Sequence, residues 1–224
     1  MPVYRHLTIW GIILVAGLLF AGEIVRDTSF SMAGGMVPTR IRAAVATVAD
    51  GHFTWESATA FSTIISSMFL HGDVEHILYN MVFLWTFGIL ASDLLGQWRT
   101  LVVYLVCGIC GAIVHILLNP ESSVPMIGAS GAIAGLEGLY LGIALRWQLP
   151  NAEVWPLAYP VPAMQLGLFA VVGFVGDLLL FANHDQHIAY GAHLGGFLSG
   201  LLIAAVITTI YPTLCEYERS TREN

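Results

Sequence analysis

Lysine is absent from this chain, and charge of either sign is scarce. Only 10% of the 224 residues are charged, against about 25% in soluble domains, so most of the chain has nothing with which to face water. The eight basic residues are all arginines, and 15 acids bring the net charge to −7, which argues against a nucleic-acid partner. Cysteine is rare and odd in number. Cys107 and Cys110 lie inside apolar sequence and Cys215 follows it, so they form neither a disulfide framework nor a zinc spacing and read as small membrane residues. There is no His-Glu-x-x-His, and His71-x-Asp73-x-x-His76 does not put its members on one helical face. His184 and His187 read as loop residues rather than as a metal site. No metal or other cofactor is called for. No internal repeat, low-complexity tract or second domain is visible.

What is present is apolar: 57% hydrophobic residues and a mean hydropathy of +0.76. Six apolar segments, at about 7–24, 76–92, 101–118, 132–149, 163–181 and 189–211, each approach the ~20 residues that cross a bilayer. The prediction is an all-α membrane protein, a single domain over 1–224 with six transmembrane helices. Arg5 precedes the first segment and small residues follow it, as in a signal peptide, but its length and the lack of a clear cleavage site favour a retained span. With the N-terminus inside, Arg5, Arg99, Arg146, Arg219 and Arg222 face the cytoplasm. Arg26, Arg40 and Arg42 fall in a long loop where charge counts for less, so the expected orientation is N-in, C-in. That first external loop, about 25–75, holds an apolar-periodic stretch at 41–48 and then Phe53, Trp55, Phe61, Ile64 and Ile65. It is expected to be partly helical and to lie in the lipid interface, with Trp55 at headgroup level.

In this orientation the second, fourth and sixth spans all begin on the non-cytoplasmic side, so polar residues at their starts share one depth. The second opens with His71, Gly72, Asp73 and His76, with Asn80 one turn after His76 on the same face. The fourth opens with Gly128-Ala129-Ser130-Gly131, and the sixth carries His193. Polar groups inside a membrane are expensive and suggest function by default, although hydrogen bonds between helices also explain them singly. Ser130 has two readings, a helix N-cap and an exposed nucleophile beside free backbone N–H groups. Small residues recur every four positions as Ser130, Ala134 and Gly138, and again as Ala192, Gly196 and Gly200. If these stripes pack together, His193 comes within the 2.6–3.2 Å that a Ser–His pair requires.

The chemistry this allows is acyl transfer. Ser130 is the candidate nucleophile and His193 the general base and then acid. His76, Asn80 and the Ser130 backbone N–H are candidate oxyanion donors, where loss of one donor costs ~3 kcal/mol. His71 is expected to order the loop. No acid is plainly placed to orient His193; Asp177 and Asp185 lie in or after the fifth span.

Three motifs in this order resemble a rhomboid intramembrane serine protease: His71-x4-His76-x3-Asn80, Gly128-Ala129-Ser130-Gly131-Ala132, and Ala192-His193-x2-Gly196-x3-Gly200. Met68-Phe69-Leu70-His71-Gly72 and Phe83-Leu84-Trp85 to Gly88 add to the similarity, which covers about 66–202. The resemblance implies a Ser130–His193 dyad with His76 and Asn80 at the oxyanion. It implies cleavage of single-pass membrane proteins near the outer end of their transmembrane helix, with a gate formed by the fifth span and the loop after it, and membrane lipids as surroundings. The minimal six-span form is similar to bacterial or archaeal members, and the oligomeric state is left open. Two departures stand out. Trp55 is followed by Glu56 where the family often has Trp-Arg, which puts the anchoring of that loop in question. Glu137 lies two turns, ~10 Å, below Ser130 where an apolar residue is usual, with His115 a candidate partner and a packing or hydration role expected. The rival readings are an inactive client-binding relative, which would lack the serine or histidine, and a small transporter using Glu137, His115 and Asp177.

Overall fold

The computed structural model describes residues 6–26, 33–154, 157, 159–182 and 189–211. Helix α1 (Leu7–Arg26) leads into the first long connection, whose apolar periodicity becomes two helices, α2 (Pro38–Ala49) and α3 (Trp55–Ser66). Pro38 opens α2, and the Thr54 hydroxyl caps α3 by accepting the Ser57 N–H. A 3₁₀ turn (Ser67–Phe69) runs on towards α4 (Val74–Leu95), and Gly96 separates α4 from α5 (Gln97–Leu118). The bundle is completed by α6 (Ser130–Ala144), α7 (Ala163–Ala182) and α8 (Tyr190–Ile210). Each of the six apolar segments thus forms a helix. Of these, α1, α4, α5 and α8 are long and apolar enough to cross a membrane; α6 and the Ala163–Gly176 part of α7 are apolar but shorter.

Helix α6 stands in the middle. Every residue in it except Ser130 and Glu137 is buried, against α8 and α5 above all and against α4 and α7 on its other sides. The outer helices turn apolar side chains outward instead, including Leu14 and Leu18 of α1, Leu168 and Phe169 of α7, and Leu198 and Leu202 of α8. That inversion is what a lipid solvent demands. The sequence segment 132–149 was longer than the helix it forms, because α6 stops at Ala144. Arg146 closes it by donating through Nη1 to the Gly142 carbonyl at 2.9 Å, and Trp147 N–H bonds Ile143.

Glycine sets how closely α6 and α8 approach. A methyl group added at Gly196 would strike the Gly131 carbonyl, one at Gly200 the Gly135 carbonyl, and one at Gly138 the Phe197 carbonyl. The α8 stripe is the one read from the sequence, Ala192, Gly196 and Gly200. The α6 stripe is a correction: it runs through Gly131, Gly135, Gly138 and Gly142, not through Ser130 and Ala134. Successive residues are ~100° apart around a helix, so Ser130 is turned away from the tightest seam. Its hydroxyl is therefore left beside the contact rather than inside it.

The first connection is anchored without a Trp-Arg pair. Met36 and Met126 exchange backbone hydrogen bonds of 3.0 and 2.7 Å, and Thr39 N–H donates to Ser122 O at 3.2 Å. Arg42 donates to the Pro120 carbonyl at 3.0 Å and pairs with Glu121. Helix α2 is thereby tied to the loop that leads into Ser130. Phe53 and Trp55 are exposed at the far end of this hairpin.

Candidate active site

Four segments meet at the start of α6. The 3₁₀ turn comes first: Ser67 is fully buried and its carbonyl accepts the Gly128 N–H at 2.8 Å. Beyond it His71 has no exposed surface, and burial, reinforced by the neighbouring His76, holds its pKa down to about 4. Asp73 caps α4 by accepting the His76 N–H at 2.7 Å, which fixes the first turn of that helix. The His71 and His76 rings meet edge to face, 5.1 Å between centroids. One turn further Asn80 is buried and donates through Nδ2 to the His76 carbonyl at 2.8 Å, while its Oδ1 has no hydrogen-bond partner among the described residues.

Gly128 has φ of 120°, a conformation that side chains oppose. A methyl group there would sit 2.7 Å from Nε2 of His76 and 3.7 Å from Oγ of Ser130. The missing side chain is therefore the space that His76 and Ser130 share. The cap of α6 is Ala129, with no side-chain hydrogen bond, and Ser130 is the first helical residue. This corrects the N-cap reading: the hydroxyl does not cap the helix. It lies 2.7 Å from Nε2 of His193. The backbone N–H groups of this first turn have no acceptor within the helix.

His193 is held from three sides. The Ala192 carbonyl just before it is wedged between α5 and α6, where added methyl groups at Gly111 and Gly131 would lie 2.6 and 3.2 Å away. Tyr190, one turn earlier and buried, meets the imidazole edge to face, with 6.4 Å between centroids and 86° between ring planes. His76 and His115 both lie near His193.

Ser130, His193, His76, His71, Gly128 and Gly131 thus gather in one place, with Asn80 one turn into α4. Glu137 does not join them; it is half-buried, two turns along α6, and engaged in an interaction of its own. The pairing of Glu137 with His115 is not formed. Gly111 is level with Gly131 and Cys107 with Gly135, so α5 carries His115 a turn beyond Ser130, where it packs on Gly191 and approaches Asn119. His184, Asp185, His187 and the side chain of Asp177 fall outside the described residues. Sequence reasoning missed Gly111, Tyr104 and Glu23. Glu23 is a buried acid in a span, and that cost was the signal available to find it.

Apolar outward faces, glycine-packed helices and a half-buried serine–histidine pair define a multi-pass integral membrane protein. Its family follows from comparison: the family model described as Rhomboid domain matches residues 58–210, more than half of the chain, and the chain belongs to the rhomboid family. It is similar to "Rhomboid protein 1, mitochondrial" of Saccharomyces cerevisiae, 29% identical over 151 residues that cover 64% of this chain and 41% of that protein. It is also similar to two proteins of Bacillus subtilis. "Rhomboid protease GluP" is 28% identical over 144 residues, 64% of this chain and 25% of that protein. "Putative rhomboid protease YdcA" is 34% identical over 142 residues, 63% of this chain and 64% of that protein. The matches span less than two thirds of the length of these relatives.

Proposed function

We propose that the protein is an intramembrane serine endopeptidase that cleaves single-pass membrane proteins near the outer end of their transmembrane helix. The observation that carries this is the 2.7 Å contact between the Ser130 hydroxyl and Nε2 of His193 at the mouth of a buried helix. The printed names of the relatives, two of which are called rhomboid proteases, point the same way.

In this mechanism the Ser130 hydroxyl donates to neutral His193 and attacks the scissile carbonyl as the proton passes to Nε2. The oxyanion that forms is met by the Ser130 backbone N–H at the positive end of α6 and by the His76 ring, with Asn80 as a further donor through its second amide N–H. His193 then protonates the leaving amine, and water, activated by the same imidazole, releases the acyl group. The length of α6 favours this setting. Its 15 residues reach ~22 Å, short of the ~30 Å hydrocarbon core, so a serine at its start sits below the surface, reachable by an unwound substrate.

Six spans, N-in and C-in, with the site opening to the non-cytoplasmic side, complete the proposal. Entry for a substrate is expected between α4 and α7, beside the apolar faces of Tyr79, Val82 and Phe83. The test is labelling of purified protein with a fluorophosphonate, together with cleavage of a single-span reporter in detergent or liposomes. Ser130→Ala and His193→Ala are expected to lose both signals, by ~10³-fold or more. Undiminished cleavage by Ser130→Ala would end the proposal.

A further inference from the structure

The 3₁₀ turn and the residues that follow it stand apart from the contact between Ser130 and His193, yet both sides of the site hang from them. Ser67 accepts the Gly128 N–H, which sets the backbone leading to the serine. His71 packs its ring on His76, and Asp73 caps the turn from which His76 projects. A segment with so much resting on it needs its own supports, and two buried side chains supply them from helices elsewhere in the bundle. Tyr104 of α5 has no exposed surface and donates its hydroxyl to the Met68 carbonyl at 3.3 Å, with its ring beside Phe69. Helix α1 packs against the 3₁₀ turn, and its Glu23, 7% exposed, places its carboxyl group beside the backbone of His71. Its Oε1 is buried with no hydrogen-bond partner among the described residues.

The two supports are costly in different ways. A hydroxyl in the centre of an apolar core and an acid within a span each lose hydration that a single polar neighbour only partly restores. Leucine or phenylalanine would fill either place more cheaply if packing were the only need. Glu23 also lies before residue 58, where the family match begins.

We infer that Tyr104 and Glu23 are positioning residues that jointly hold the segment Ser67–His71 and through it align Gly128, Ser130 and His76. Neither touches the reacting atoms. The inference rests on the proteolytic reading above. It predicts that losing either support loosens the oxyanion side of the site and slows the chemical step, leaving substrate binding in place.

The experiment compares Tyr104→Phe, which removes one oxygen, with Glu23→Leu, Glu23→Gln and the double variant Tyr104→Phe/Glu23→Leu. Turnover and KM on a single-span reporter, the rate of fluorophosphonate labelling and the melting temperature are measured for each in the same detergent. Tyr104→Phe and Glu23→Leu are expected to lower kcat and the labelling rate together by about tenfold to a hundredfold, with KM within about twofold. Glu23→Gln keeps an acceptor oxygen and is expected to recover most of the loss. The double variant should fall short of the product of the singles, since both act on one segment. Folded Tyr104→Phe and Glu23→Leu proteins with wild-type kcat would overturn the inference. So would losses that multiply, or that follow the melting temperature and appear in KM. A wild-type chain that neither labels nor cleaves overturns the proteolytic reading and this inference with it; a labelled wild type with indifferent variants overturns this inference alone.

Discussion

A single methyl group at Gly111 should separate the serine from its histidine. In Gly111→Ala the new Cβ would lie 2.6 Å from the Ala192 carbonyl oxygen, whereas ordinary Cβ contacts begin at 3.4 Å. Ala192 must therefore retreat by roughly 0.8 Å, and the atom in the way is backbone, so no side-chain rotation relieves it. Retreat towards α6 is opposed as well, because Gly131 closes on the same carbonyl from the other side. The residue that moves with Ala192 is His193. Carried by a comparable amount, its Nε2 would stand roughly 3.5 Å from Ser130 Oγ instead of 2.7 Å, beyond the reach of a nucleophile–base hydrogen bond. A misplacement near 1 Å costs on the order of 10²-fold, so kcat/KM is expected to fall between about ten- and a hundredfold. The overpacked junction should also cost about 1–3 kcal/mol of stability. Both are read on one preparation, by cleavage of a single-span reporter and by thermal melting. Gly17→Ala is the control: it is helical and has nothing within 4 Å of the added methyl, so it should keep full turnover and gain up to ~1 kcal/mol. Normal melting and wild-type turnover in Gly111→Ala would refute the wedge. Loss of stability with turnover intact would refute the claim that helix packing sets the dyad.

His71 makes folding sensitive to acid. Its pKa is held at about 4 in the folded protein against 6.5 unfolded, so the unfolded chain binds the extra proton between those values. The stability that keeping it neutral contributes is complete above about pH 6.5 and is lost as pH falls towards 4, up to about 3 kcal/mol. Melting in detergent across that range should show the slope, and His71→Gln should flatten it; an unchanged slope would exclude His71 as its source. The Arg42–Glu121 pair is the opposite case. Both side chains are largely exposed, so Arg42→Ala should cost under ~1 kcal/mol and leave turnover near wild type, because Met36 and Thr39 keep the loop attached through backbone bonds. A collapse of activity in Arg42→Ala would make the ion pair the true anchor.

The sequence was most legible where chemistry and periodicity agreed. His76 and Asn80 share a face because they are four apart, and Ser130 and His193 were recognisable as polar groups in apolar surroundings. The helical hairpin at 38–66 was foreshadowed by apolar periodicity alone. The seam between α6 and α8 was less so. With small residues at Ser130, Gly131, Ala134, Gly135 and Gly138, two interleaved stripes are equally regular, and spacing carries no information about which one a neighbour will choose. Packing decides it: only a glycine tolerates a carbonyl at the distances found here, and Ser130 and Ala134 both carry a Cβ. The same limit hid Gly111, one of two glycines in its helix until the position of Ala192 gave it a task.

The end of α6 and the pairing of His115 were missed for a related reason. Apolar composition continues to Leu149, but Arg146 folds back to cap Gly142, and hydropathy does not register a side chain that satisfies a carbonyl. Matching His115 to Glu137 required the relative heights of α5 and α6, which come from the glycine contacts rather than from either helix. The buried acid at Glu23 is a different case. A carboxylate within a span is conspicuous in the sequence, and its cost alone argues that something must meet it. The backbone it lies beside, at His71, is 48 positions along the chain and comes near only when α1 is packed against the 3₁₀ turn. Local sequence therefore identifies the groups that need partners, and the packing of distant helices determines which partners they receive and how the serine is aligned.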